Sequence, residues 1–92
     1  MKVERVKYII WAVDMERCAK FYIDVFNGSA IKQTDHIAEV EICGNTIGIH
    51  GGGEGKRTWT GISFQVADVV TGAADVIAAG GALSRQPEPE NG

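Results

Sequence analysis

Cross-links are what this sequence has least of. Its 92 residues include two cysteines, Cys18 and Cys43, too few for a disulfide framework and without metal-binding spacing. Cys18 falls on an apolar helical stripe, where a free thiol behaves as a small hydrophobe, and both cysteines are read as structural. A basic excess is missing too. The net charge of −3 and pI near 5.2 give no electrostatic reason to bind nucleic acid. The apolar run of residues 8–13 is too short for a membrane span. That run follows Lys2, Glu4, Arg5 and Lys7 and lacks a cleavage-site pattern, unlike a signal peptide, so the expected location is the cytoplasm. Only two prolines occur, Pro87 and Pro89, in a tail (residues 87–92) with nothing to bury and expected to be mobile.

What is present is one unit written twice. Tyr8-Ile9-Ile10-Trp11-Ala12-Val13-Asp14 leads into an amphipathic stretch ending at Phe26, then Asn27-Gly28. Gly61-Ile62-Ser63-Phe64-Gln65-Val66-Ala67-Asp68 leads into a second such stretch, then Gly80-Gly81. Each reads as a strand, a capping aspartate, a helix and a glycine stop. A repeat unit buries its apolar face by stacking on another, so duplication implies pairing. The apolar share of 45% indicates a folded globule, and 92 residues suit one small domain.

Residues 6–13 are apolar on both faces, apart from Lys7 near the start, and should form a central strand. Cys18, Phe21, Tyr22, Val25 and Phe26 recur at helical spacing and, with Phe64, are expected to pack in the core. A short strand over 30–34 should follow. Residues 36–43 and 46–50 flank Gly44-Asn45, read as a two-residue hairpin loop with Gly first. That loop pairs Val40 with Ile49 and Glu39 with His50, separating apolar from polar pairs. Residues 51–57, rich in glycine and charge, read as a linker. They fit no phosphate-binding loop, because His50 stands where a Gly is needed and Arg57 where a Ser or Thr is needed. Residues 61–66 and 82–85 read as further strands.

The ordered set Val13-Asp14, Phe21-Tyr22, Val25-Phe26-Asn27-Gly28, the hairpin, and Phe64-Gln65-Val66-Ala67-Asp68 through Ala78-Ala79-Gly80-Gly81 resembles the vicinal oxygen chelate superfamily. That group includes glyoxalase I, extradiol dioxygenases and bleomycin-resistance proteins. The resemblance implies an α+β fold of paired βαβββ-type modules, with a curved mixed sheet and helices on its outer face. It sets residues 1–50 as the first module, 51–57 as a linker and 58–92 as a shortened second module within a single domain. It puts the family's metal ligands at Lys7, Gly48, Gly61 and a final strand not seen here. A glycine has no ligating side chain and a protonated lysine no lone pair, so neither metal nor other cofactor is expected.

The expected cup lining is Trp11, Glu39, Glu41, His50, Ser63 and Gln65, with no catalytic residue assigned. Two readings of Glu39 and His50 stand: a buried pair that grips a polar ligand, or an ordinary cross-strand pair on a wet face. Trp11, and Trp59 beside the mouth, either line the cavity or fill a dimer seam. The leading expectation is metal-independent binding of a small organic molecule, as in bleomycin resistance by sequestration, which argues against an enzyme. The alternatives are a glyoxalase-type lyase or dioxygenase whose relocated ligands are His50, Glu39 and Glu41, and a non-catalytic assembly module or remnant. Partners are expected to be a small molecule and a second copy in a homodimer, with no nucleic acid and no membrane.

Overall fold

Asp14 and Asp68 start the two helices as their sequence positions require. In the computed structural model, which describes residues 1–87, Asp14 accepts from the Arg17 amide at 3.1 Å and opens α1 (Met15–Phe26). Asp68 accepts from the amides of Val70 (2.9 Å) and Thr71 (3.2 Å) and opens α2 (Val69–Ala78). Those bonds, chiefly the one from the Thr71 amide, hold the Asp68 carboxyl below its ordinary range. Gly80, at φ 90°, closes α2 in a Schellman motif, with Gly80 N–H donating to Ile77 O and Gly81 N–H to Val76 O. At the end of α1 the left-handed residue is Asn27 (φ 54°) rather than Gly28. Gly28 is needed for closeness instead: a Cβ there would stand 2.5 Å from Val40 Cγ1.

The four strands are β1 (Lys7–Trp11), β2 (Ser29–Gln33), β3 (Ile37–Ile42) and β4 (Asn45–His50). They form one mixed sheet in the order β1-β4-β3-β2, with β1 parallel to β4 and the other pairs antiparallel. The protein is therefore a small α+β fold with a four-stranded sheet and two helices. Helix α1 packs on β3, β4 and β2. Ile10, Ala38, Val40, Ile42, Ile47 and Ile49 meet Met15 and Ala19 of α1 in the core. Phe21, Tyr22 and Phe26 are half-buried along the helix and lie within 6 Å of one another, centroid to centroid, in mostly edge-on contacts.

Three expectations change. First, β1 is an edge strand, not a central one, because β4 returns beside it and no other strand of the described residues lies beyond. Second, the hairpin turns on Cys43-Gly44, both left-handed (φ 50° and 79°), as a type I′ turn demands. Glycine thus takes the second loop position, and Asn45 opens β4 with its amide donating back to Cys43 O at 3.1 Å. Cross-strand partners move by two residues, so Val40 faces Ile47, Glu39 faces Gly48 and His50 faces Ile37. A shift of two leaves every side chain on its expected face, which is why alternation could not detect it. Third, residues 61–66 and 82–85, expected as strands, are irregular chain. Cys43 is exposed on the turn, while burial pushes the Cys18 thiol up and leaves it inert.

The chain divides into two compact units, Met1–Ile62 and Ser63–Gly92. The first holds the sheet and α1; the second holds α2, none of whose residues is buried. The tail expected from Pro87 to Gly92 lies, beyond Pro87, outside the described residues. Among those residues no helix is long and apolar enough to cross a membrane.

Candidate functional site

Alternation along the strands sets Lys7, Ile9, Trp11, Glu39, Glu41, Thr46, Gly48 and His50 on the sheet face away from α1. The middle of that face is filled. Glu39, only 3% exposed, takes the Lys7 ammonium at 2.6 Å and the Arg5 guanidinium at 3.3 Å. Ile9 lies over Gly48, where a Cβ would come within 2.6 Å of Ile9 Cδ1. The space beside this β4 glycine is thus taken by a neighbouring side chain. The expected Glu39–His50 pair is not formed, because the turn sets Glu39 against Gly48 and Arg5 and Lys7 claim its carboxylate.

The Lys7 hydrogen bond is the main cause holding the Glu39 carboxyl below the usual glutamate range. Burial opposes it, and the charges of Arg5, Lys7 and Lys32 assist. The folded pKa is depressed, so the stabilisation is fully present above the unfolded value and lost as pH falls through the folded one. Urea titrations of wild type and Glu39→Gln should show a stability gap at pH 7 that narrows at about pH 3, below the ordinary glutamate range. A gap of equal size at both pH values would refute the charge pairing.

Open space lies at the end of β1. There a cavity of about 580 Å3 is lined by Trp11, Ala12 and Val13 on one side and by residues 52–58 on the other. The glycine-rich segment is stitched to the sheet. Ala12 N–H donates to His50 O, Gly51 N–H to His36 O and Gly53 N–H to Ala12 O, each at 2.9 Å. Only glycine permits the last contact, since a Cβ on Gly53 would sit 2.8 Å from the Ala12 backbone. Trp11 is two-thirds exposed, with its ring edge-on to His50 at 4.9 Å between centroids. Lys56 pairs with Glu54 at 3.1 Å, whereas Arg57 has no carboxylate partner among the described residues. The cavity is lined by an indole, a glycine-rich backbone and the Arg57 guanidinium, a set that suits a flat, negatively charged molecule.

No protein family and no curated protein matches the sequence. A solved structure from the mobile metagenome of V. Pseudocholerae is similar, with a TM-score of 0.61 and 19% identity, over all of this chain and 79% of that one. At that identity the likeness concerns the fold alone.

Of the six residues expected to line a cup, Trp11 and His50 are brought together, and Trp11 reaches the cavity. Glu39 is held by Lys7 and Arg5, and Glu41 is exposed opposite Thr46. Ser63 and Gln65 belong to the second unit, where both are exposed. The relocated set of His50, Glu39 and Glu41 is not a ligand cluster; among the described residues no three His, Cys, Asp or Glu gather where an ion could be held. The residues missed were those of the segment read as a linker, above all Gly53 and Arg57. Their signal was present in Gly51-Gly52-Gly53, because consecutive glycines mark close approach of backbone to backbone as well as flexibility.

Proposed function

We propose that the protein binds a small, flat, anionic organic molecule without a metal, in the cavity between Trp11 and residues 52–58. The observation that carries this is that Arg57, which has no carboxylate partner among the described residues, lines the same cavity as Trp11. About 580 Å3 falls within the usual range for small-molecule sites. The βαβββ order of residues 7–50 supports a likeness to the bleomycin-resistance branch of the vicinal oxygen chelate superfamily, whose members bind by sequestration.

The test uses Trp11 as reporter in a Trp59→Phe background. Benzoate and 2-naphthoate should quench it saturably, with or without EDTA, and benzamide, which lacks the charge, should bind more weakly. Arg57→Gln should weaken carboxylate binding tenfold or more, since a hydrogen bond to a charged group is worth about 1.5–3 kcal/mol. Linear, unsaturable quenching by both carboxylates, or binding abolished by EDTA, would end the proposal.

A further inference from the structure

The charges along the cavity at the end of β1 are few and unevenly committed. Its lining holds one carboxylate, Glu54, and two cations, Lys56 and Arg57. Glu54 Oε2 takes the Lys56 ammonium at 3.1 Å, so this pair is neutral as a unit. Arg57, with no carboxylate partner among the described residues, leaves one positive charge uncompensated. Glu54 also stands between two glycines that approach the continuation of β1. Gly53 N–H is bound to Ala12 O, and a Cβ on Gly53 would sit 2.8 Å from the Ala12 backbone. Gly55, at φ 74°, lies against Val13, whose Cγ2 a Cβ would meet at 3.4 Å. These two approaches pin the backbone of Glu54 to the wall that Ala12 and Val13 provide.

We infer, on the reading of this cavity as an anion site, that Glu54 sets its charge selectivity, admitting flat molecules with one negative charge and disfavouring those with two. The first ligand carboxylate answers the Arg57 charge and exchanges its water for a charge-assisted hydrogen bond. A second carboxylate on the same ring finds no uncommitted cation. It must lose hydration without a counter-charge, or take Lys56 from Glu54 and leave two carboxylates side by side. In water, one unit charge about 4 Å from another changes an equilibrium constant about fivefold, and salt screens the effect. Exposed ion pairs add little to stability, so what this one can change is which ligand enters.

Isophthalate and its monoamide, 3-carbamoylbenzoate, share one shape and differ by one charge. Both are titrated against Trp11 fluorescence in the full chain carrying Trp59→Phe, at about pH 7, where carboxylates are ionised. In low salt the monoamide should bind about fivefold more tightly. That preference should shrink towards none at about 1 M salt, where the screening length is about 3 Å. Glu54→Gln releases Lys56 for the second carboxylate, so the preference should disappear or invert to isophthalate. Lys56→Gln leaves Glu54 without its cation, so both ligands should weaken and the preference should widen. Circular dichroism checks the fold of each variant, and the salt series on the parent protein decides if a variant misfolds. Isophthalate binding as tightly as the monoamide in the parent overturns the inference and leaves the anion site standing. So does a preference unmoved by salt, or one of equal size in Glu54→Gln. Absence of saturable quenching by the monoamide and by benzoate alike is the separate result that removes the anion site, and the selectivity with it.

Discussion

Ile49→Ala is expected to destabilise the first unit by about 2–5 kcal/mol, as large-to-small substitutions in packed cores do. Ile49 is fully buried, opposite Ala38 on one side and in register with Ile10 on the other, beneath the Met15–Ala19 face of α1. Small domains have only about 5 kcal/mol in hand, so the variant should be largely unfolded at room temperature. Ile49→Val should cost only about 0.5–1.5 kcal/mol. Ile77→Ala on the half-exposed face of α2 should stay within about 0.5 kcal/mol of wild type. Urea denaturation followed by circular dichroism would rank the three. An Ile49→Ala loss no greater than that of Ile77→Ala would show that this core is not where the stability resides.

Gly53→Ala should leave the sheet folded and remove ligand binding. The added Cβ would meet the Ala12 backbone nitrogen and carbonyl carbon at 2.8 Å, and backbone in a strand extension cannot rotate aside as a side-chain tip would. The segment must lift, which breaks the Gly53–Ala12 hydrogen bond and moves Arg57 away from Trp11. Overpacking of this kind costs roughly 1–3 kcal/mol. If that cost is borne by the bound arrangement, it corresponds to about a tenfold or greater loss of affinity. Gly52→Ala is the control. Its Cβ meets nothing, and its effect is confined to the positive φ of 86°. The readout is Trp11 quenching by 2-naphthoate beside a near-native unfolding curve. Unchanged affinity in Gly53→Ala would separate the loop from the binding site and count against the proposed function.

Local chemistry was legible in the sequence. Asp14 and Asp68 as caps, Gly80 as the left-handed stop and the turn near Gly44 each depend on residues within one helical turn or one hairpin, where a single sequence carries the whole signal. Alternation assigned Glu39, Gly48 and His50 to one face and Val40, Ile47 and Ile49 to the other, as the structure has them. It could not choose between registers two residues apart. That choice rested on whether glycine takes the first or second loop position, and it decided that Glu39 meets Lys7 rather than His50. The edge position of β1 was illegible for another reason. An apolar strand looks the same whether its second neighbour is in its own sheet or in another molecule. The cavity was missed because the approach of Gly53 to Ala12 joins segments about 40 residues apart, and no local pattern reports such a contact.

The parallel pairing of β1 with β4 also orders events in time. β2, β3 and β4 follow one another as an antiparallel meander, each closing on its predecessor across a short connection. β1 is made first, yet its partner is synthesised about 40 residues later, after α1 and two more strands. Chain entropy makes that closure the slowest of the ladder contacts, since its loop must be brought together before any bond compensates. The nascent chain therefore carries its most adhesive segment, residues 7–11, unpaired until the C-terminal side of the hairpin has left the ribosome. During that interval the segment that completes the sheet is also the one most open to capture by chaperones or by other chains.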